Sequence, residues 1–186
     1  MPGARLRITG GAARGIPVTE PRGYRLRPTS GLVREAIFNI VAATVEDAAV
    51  LDLYAGTGAL GIEALSRGAA SAVFIDAEAA SCQAILQTLS RAGFADRATV
   101  LRGRLPAALK NAPGPFDLIL MDPPYQEDTA EETLLLLAPV LRENGLVVYE
   151  HGSRYNPPGR PAGLRQFERR VYGDSAIALY AHEEGE

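Results

Sequence analysis

The sequence predicts an α/β fold in which a mainly parallel sheet carries helices on both faces. Three observations support this prediction: apolar runs of strand length alternate with segments of helical periodicity, a glycine-rich turn follows one early run, and aspartates follow several of them. With 186 residues, the chain can bury one substantial core and is too short for two full domains. Folds of this kind bind ligands over the carboxyl ends of their parallel strands.

The first 29 residues are predicted to form a basic arm ahead of an α/β domain that covers residues 30–186. Within the arm, residues 5–19 alternate short apolar and polar stretches around the pair Gly10-Gly11 and around Gly15, which is typical of a small strand or hairpin with tight turns. Ser30 then stands at an N-cap position, and the apolar spacing behind it predicts a helix that ends near Val45.

The rest of the chain alternates strand and helix signals. The predicted strands cover residues 50–54, 72–75, 98–101, 116–121 and 146–150. The predicted helices begin at Ala59 and then cover residues 78–92, 106–110 and 131–141. Residues 164–171 and 175–180 flank a Gly-Asp turn, which predicts an antiparallel pair that closes one edge of the sheet.

Composition excludes several classes of protein. Hydrophobic residues make up 47% of the chain and charged residues 22%, as in ordinary globular proteins, and no apolar run is long enough for a membrane span. The N-terminus lacks the apolar core of a secretion signal, so a cytoplasmic protein without a membrane partner is predicted. The single cysteine, Cys82, has helical spacing to apolar neighbours and is predicted in the core. One cysteine and two histidines predict no metal site.

Charge is distributed unevenly along the chain. Residues 1–34 hold seven arginines and only one acidic residue, Glu20, which gives +6, and the remaining residues carry −9. A basic arm on an acidic body can neutralise backbone phosphates of a nucleic acid. A solvated arginine-rich terminus without a partner is the alternative.

A glycine-rich turn follows the apolar run that begins at Val50. Gly56, Gly58 and Gly61 spell G-x-G-x-x-G, and Asp76 follows Gly56 by 20 residues at the end of the next predicted strand. Such a unit binds either a dinucleotide or S-adenosylmethionine. Asp52, just before the glycines, fits S-adenosylmethionine better, because that cofactor carries an ammonium and a sulfonium and has no phosphate.

The tetrad Asp122-Pro123-Pro124-Tyr125 ends the predicted strand of residues 116–121. Two prolines stop the backbone ladder and leave carbonyls free to accept hydrogen bonds. Asp122 adds a second acceptor, and Tyr125 offers a ring face to an unstacked base. The pattern indicates a site for a flat base with an exocyclic amino group, against the alternative of a proline-rich turn after a buried strand.

With the glycine turn upstream, the tetrad resembles the methyltransferases that modify the amino groups of adenine N6, cytosine N4 or guanine N2. The opening of the chain narrows this resemblance to the bacterial small-subunit ribosomal RNA guanine-N2 methyltransferases. The matching stretches are Arg7-Ile8-Thr9-Gly10-Gly11, Arg14-Gly15, Leu26-Arg27-Pro28-Thr29, residues 33–39, residues 147–150 and residues 172–180.

The resemblance implies a Rossmann-like class I methyltransferase fold, a seven-stranded and mostly parallel sheet with an antiparallel last strand. It implies S-adenosylmethionine as cofactor and ribosomal RNA as partner, within the small subunit or an assembly intermediate, for a monomeric enzyme without metal. The implied catalytic residues are Asp122, Pro123, Pro124 and Tyr125. The implied cofactor contacts are Asp52, Tyr54, Gly56, Thr57, Gly58, Asp76, Ala77 and Leu105. The implied RNA contacts are Arg7, Arg14, Arg27 and Arg34.

One position departs from the family pattern. Relatives often carry an acidic or amide residue after the third strand to receive the adenine amino group, whereas this chain has Arg102-Gly103-Arg104 there. Arginine cannot accept a hydrogen bond. Backbone atoms are therefore expected to recognise the adenine, with Arg104 stacked on the ring or directed to solvent.

Three alternatives remain open at the level of sequence. A DNA or RNA adenine-N6 methyltransferase shares the tetrad. A nicotinamide-dependent oxidoreductase shares the glycine turn and Asp76 but leaves the tetrad without a role. A non-catalytic RNA-binding module would explain the basic arm alone.

Overall fold

The computed structural model describes residues 6–21, 31–124 and 129–183. Its strands are β1 (Ala49–Leu53), β2 (Ser71–Asp76), β3 (Ala98–Arg102), β4 (Phe116–Met121), β5 (Leu141–Gly152), β6 (Leu164–Tyr172) and β7 (Ser175–His182). Its helices are α1 (Gly31–Ile40), α2 (Ala42–Val45), α3 (Ala59–Ser66), α4 (Ala79–Ala92) and α5 (Ala130–Leu134). Three 3-10 turns cover Ala95–Arg97, Ala107–Asn111 and Ala138–Val140. None of the helices in these ranges is both long and apolar enough to cross a membrane.

The strands form one seven-stranded sheet in the order β3-β2-β1-β4-β5-β7-β6. The four pairings from β3 to β5 are parallel, and β7 pairs antiparallel with both β5 and β6. The predicted fold class, including the antiparallel strand near the end of the chain, is confirmed. The central strand β1 is almost fully buried, as expected for a parallel strand with helices on both faces.

Alternate residues of the strands feed two hydrophobic cores on opposite faces of the sheet. Val50 and Leu120 join the core beneath helices α1 to α4, whereas Leu51 and Ile119 join the core beneath α5 and the 3-10 turns. This alternation follows from the period of two of an extended strand. Cys82, from α4, is buried as predicted.

Two predicted helices differ from the observed ones. The helix predicted up to Val45 is divided into α1 and α2 at Val41, and the predicted N-cap Ser30 lies outside the described residues. The helix predicted over residues 131–141 is wrong, because α5 ends at Leu134 and β5 begins at Leu141. Pro139 lies in the following 3-10 turn and has no amide to donate, so a regular α-helix does not continue through this position to Leu141.

The described part of the arm packs on the body of the protein. Residues 6–18 form a hairpin-like turn with one bridge between Arg7 and Pro17, as the glycine pattern predicted. Ile8 and Val18 are buried in the core beneath α1 to α4. The predicted domain boundary at residues 29 and 30 lies outside the described residues.

Candidate active site at the carboxyl edge of the sheet

The glycine turn and the Asp-Pro-Pro-Tyr loop leave the sheet side by side. Strand β1 lies between β2 and β4, and Leu53 is in register with both Ile75 and Met121. The backbone amide of Asp122 donates to the carbonyl of Leu53 at 3.5 Å. Because all three strands are parallel, their aspartates and the glycine turn share one edge of the sheet.

Close packing accounts for the glycines of the turn. Gly58 has a φ of +72°, and a Cβ atom there would lie 2.8 Å from Cγ1 of Ile85. A Cβ atom at Gly61, on the first turn of α3, would lie 2.4 Å from the ring of Phe74. Gly56 also has a positive φ, of 55°. The predicted glycine motif therefore lets the chain enter α3 tightly against β2 and α4.

Asp52 is buried beneath this turn, and its Oδ2 accepts a hydrogen bond of 2.8 Å from the amide of Gly61. Burial raises the pKa of Asp52 well above its ordinary value of 3.8. The Gly61 bond opposes that rise, whereas the negative charges of Asp122 and Asp76 add to it. The three carboxylates thus lie at the same edge of the sheet, where β1 is flanked by β2 and β4.

Within the described ranges, no group of three or more histidine, cysteine, aspartate or glutamate side chains is arranged to hold a metal ion.

Asp76 is oriented by backbone amides at the end of β2. Its Oδ2 accepts from the amide of Gly56 at 2.8 Å, and its Oδ1 accepts from the amide of Glu78 at 2.9 Å. Each carboxylate oxygen has a second lone pair, so Asp76 can still accept from ligand hydroxyls. The neighbouring Ala77 is half-buried, and its carbonyl accepts from Nε of Arg102 at 3.3 Å.

Tyr54 connects the glycine turn to the helix behind the tetrad. Its backbone is left-handed, with a φ of 57°, and its hydroxyl lies 2.8 Å from Oγ1 of Thr133 and 3.3 Å from Oγ1 of Thr129. The sequence did not predict this connection. The signal was present in two threonines four residues apart, which share one face of a helix.

The remaining predicted cofactor residues line the same edge to different degrees. Thr57 is buried in the turn, and Leu105 is buried in the core next to the 3-10 turn that follows it. Arg104 is exposed, in keeping with an arginine directed to solvent.

Three of the four tetrad residues are described. Asp122 is half-buried, Pro123 is buried and Pro124 is exposed, whereas Tyr125 lies outside the described residues. The loop therefore presents a carboxylate and a rigid proline beside the glycine turn.

An aromatic cluster that the sequence did not predict stands on the neighbouring strand. Tyr149 on β5 is in register with Met121, the last residue of β4. Its ring lies 5.3 Å from that of His151 and 6.5 Å from that of Tyr155, whose hydroxyl donates to Glu131. Burial lowers the pKa of His151, so this imidazole is neutral at physiological pH. The rule that ligands bind at the carboxyl ends of parallel strands could have drawn attention to His151.

The arginines that are predicted to contact RNA lie in different environments. Arg7 and Arg14 are exposed, and a guanidinium nitrogen of Arg7 donates to the carbonyl of Gly15 at 2.7 Å. Arg27 lies outside the described residues. The prediction for Arg34 is wrong, because its side chain is only 2% exposed and lies 3.4 Å from the carboxylate of Glu63. A buried arginine of this kind has no surface to offer to a phosphate.

The chain is similar to known proteins over nearly its whole length. A model of the family described as Conserved hypothetical protein 95 matches residues 6–181. Ribosomal RNA small subunit methyltransferase D of Escherichia coli is 36% identical over 181 residues, which cover 96% of this chain and 91% of that protein. The protein of the same name from Haemophilus influenzae is 34% identical over 185 residues, with 94% and 93% covered.

Solved structures agree with these relatives. The Escherichia coli protein yhhF, whose name places it among the methyltransferases, superposes with a TM-score of 0.82 at 35% identity, with 97% of this chain and 99% of that chain covered. The chain therefore belongs to the family described as Conserved hypothetical protein 95, which confirms its resemblance to the bacterial small-subunit ribosomal RNA methyltransferases.

Proposed function

We propose that this protein transfers a methyl group from S-adenosylmethionine to the exocyclic N2 amino group of a guanine in small-subunit ribosomal RNA. The main observation in its support is that the glycine turn, which follows β1, and the Asp122 loop, which follows β4, lie next to each other. Relatives that are named ribosomal RNA small subunit methyltransferase D support the substrate class. A cytoplasmic location is proposed with that substrate.

The charge of the site favours a cationic cofactor. The negative charges of Asp122 and Asp76 help to raise the pKa of Asp52, and a ligand that brings positive charge would relieve this unfavourable interaction. S-adenosylmethionine supplies an ammonium and a sulfonium, whereas the pyrophosphate of a dinucleotide would add negative charge. Asp76 is suited to the ribose hydroxyls, since both of its oxygens are already oriented by backbone amides. We assign the ammonium of S-adenosylmethionine to Oδ1 of Asp52, because Oδ2 accepts the hydrogen bond from the Gly61 amide.

On the substrate side, Asp122 and the carbonyl of Pro123 are proposed to accept the two N–H bonds of the guanine amino group. An exocyclic amine is a poor nucleophile, because its lone pair is delocalised into the ring. Two acceptors would orient that lone pair at the methyl carbon and stabilise the positive charge that develops on nitrogen. When bound, S-adenosylmethionine would supply the methyl group, with the N–C bond forming as the C–S bond breaks to give a neutral thioether. Asp122 or water would take the proton that the nitrogen loses.

The RNA side of the proposal rests on exposed arginines and on an extruded base. Arg7 and Arg14 are available for backbone phosphates. Removing a base from its stack costs about a few kcal/mol, least in irregular RNA, so a loop nucleotide is the expected target.

The first prediction concerns Asp122. We expect Asp122→Ala to lower the single-turnover rate of methyl transfer by about 10²- to 10³-fold, because the variant loses an acceptor for developing charge. The rate is measured with small-subunit ribosomal RNA from a strain that lacks the modification. Asp96→Ala, which changes an exposed aspartate in a 3-10 turn, is the matched control. A near-native rate for Asp122→Ala would overturn this role.

Mass spectrometry of the same RNA identifies the product. N2-methylguanosine that appears only with the wild-type protein is the expected result. N6-methyladenosine would overturn the guanine target in favour of the adenine-N6 alternative, and unmodified RNA would overturn the proposed substrate.

A further inference from the structure

The carboxylate of Glu63 is fully buried and holds the N-terminal turn against helix α3. Its Oε1 accepts hydrogen bonds of 2.7 Å from the hydroxyl of Thr9 and from the amide of Gly10. Its Oε2 accepts a bond of 2.9 Å from the amide of Thr9. One side chain thus satisfies three donors of two consecutive residues that lie more than 50 positions away in sequence.

Two arginines flank the carboxylate of Glu63. Nε of Arg67 donates to Oε1 at 2.9 Å, and Nε of Arg34 lies 3.4 Å from Oε2. Arg34 also donates from Nη2 to the carbonyl of Arg7 at 2.7 Å, so it connects α1 to the start of the turn. Buried charges are tolerated only in paired and well-defined arrangements, which fixes the relative positions of these segments.

Ser66, at the end of α3, secures the other side of the turn. Its hydroxyl donates to the carbonyl of Gly10 at 2.6 Å and accepts from the amide of Ala13 at 2.9 Å. Its carbonyl accepts from the amide of Ala12 at 2.7 Å. We refer to Thr9, Arg34, Glu63, Ser66 and Arg67 as the Glu63 cluster.

The Glu63 cluster fixes the backbone next to two exposed arginines, Arg7 and Arg14. Arg7 precedes the docked residues, and its carbonyl receives the Arg34 bond. Arg14 follows Ala13 directly, and its own amide donates to the carbonyl of Gly11 at 3.2 Å. At its opposite end, helix α3 begins at the glycine turn. A rigid helix therefore separates the cofactor turn from the arginines.

We propose that Glu63 is a positioning residue for the RNA substrate: by docking residues 9–13 on α3, it holds Arg7 and Arg14 at a fixed distance from the methyl donor. This inference rests on the proposed function. Arginines that are held in place before binding lose less conformational freedom when they meet a phosphate, so affinity for RNA increases. Cofactor binding uses the other end of α3 and is not affected.

Replacing Glu63 itself is a poor test, because it leaves buried Arg34 without its partner charge and strongly destabilises the fold. Thr9→Val is milder, since it removes the two hydroxyl bonds, to Glu63 and from Arg67, and keeps the shape and the amide bond. With small-subunit ribosomal RNA from a strain that lacks the modification, we expect the RNA KM to rise about three- to tenfold, from the loss of these two bonds to charged groups. The kcat and the Kd for S-adenosylmethionine should stay within about twofold.

Thr99→Val is the matched control, because it makes the same change at an exposed position on edge strand β3 and should leave the RNA KM unchanged. If Thr9→Val folds poorly, the RNA KM of Ser66→Ala, which removes two other bonds to the turn, provides the same test.

A double-mutant cycle separates positioning from general weakening. If Thr9 acts through the placement of Arg14, the effects of Thr9→Val and Arg14→Ala on the RNA KM are less than additive. Full additivity, an unchanged RNA KM, or an equal loss of cofactor affinity would overturn the role of Glu63. Those results leave the proposed function intact as long as the wild-type protein methylates the RNA, whereas an inactive wild-type protein overturns both.

Discussion

At the scale of single residues, burial decides what each carboxylate can do. Asp52 is buried and accepts a hydrogen bond from the backbone amide of Gly61, yet burial still raises its pKa, so its charge is poorly stabilised. Glu63 is equally buried but receives backbone, hydroxyl and guanidinium donors. Asp52 is therefore suited to gain a cation from a ligand, whereas Glu63 is suited to a fixed structural contact.

The environment of Asp52 predicts a pH dependence of cofactor binding. A cationic ligand favours the ionised carboxylate, and the raised pKa means that part of the free protein carries a protonated Asp52 above pH 3.8. We expect affinity for S-adenosylmethionine to rise with pH until the raised pKa is passed, and binding below that pKa to release a proton. Calorimetry in buffers of different ionisation enthalpy measures the release directly.

The same shift has the opposite sign for the stability of the free protein. Between the ordinary pKa of 3.8 and the raised one, the folded state binds more protons than the unfolded state, so the free energy of unfolding falls as pH rises. Asp52→Asn should abolish both effects while it keeps an acceptor for Gly61. Affinity that is independent of pH in the wild-type protein would contradict the assignment.

At the scale of elements, docking on α3 explains Gly11 of the arm but not Gly15. Gly11 has a φ of +73°, and a Cβ atom there would lie 1.8 Å from the carbonyl oxygen of Ser66. Gly15 has a similar φ of +87°, with no atom within 4 Å of an added Cβ. The two positions share the conformational requirement for glycine and differ in contact with the helix.

This difference provides a matched pair of substitutions. We expect Gly15→Ala to lower the free energy of unfolding by about 1–2 kcal/mol, the cost of a left-handed alanine. Gly11→Ala should cost about 3 kcal/mol or more, because the turn must also move away from Ser66. Urea denaturation measures both values. Equal losses would show that the docked turn contributes little to stability.

At the scale of the whole molecule, charge separates the arm from the body. The first 34 residues carry +6 and the rest −9, and the acidic side includes the three aspartates of the candidate site. Such a distribution favours a polyanion at the arm and, under the proposed function, a cationic cofactor at the acidic site. Arg14 is exposed on the docked turn, whereas Arg34 is buried and pairs with Glu63.

Salt dependence tests this division of charge. We expect Arg14→Ala to weaken RNA binding and to reduce the slope of log K against log salt by about one, the value for one lost phosphate contact. Affinity for S-adenosylmethionine should stay unchanged. Arg160→Ala, which removes an exposed arginine paired with Glu183, is the control. An unchanged slope for Arg14→Ala would remove this residue from the RNA surface.

The sequence by itself determined the fold class and the main features of the candidate site. Strand and helix periodicities, a glycine turn and aspartates near strand ends are local patterns that the sequence shows directly. Because β1, β2 and β4 are parallel neighbours in the sheet, Asp52, Asp76 and Asp122 then lie at one edge. The helix predicted over residues 131–141 failed because its apolar spacing marked burial rather than continuous helix.

Only the tertiary structure decided which charged and polar residues are buried and what they contact. Arg34 was expected at the RNA surface, and Glu63 showed no local signal of the contacts that it makes with Thr9 and Gly10. The link from Tyr54 to Thr133 likewise joins distant parts of the chain. Local spacing indicates which face of an element is apolar. The partners of a buried polar or charged group come from distant segments and depend on packing, because a buried charge is costly unless it is paired.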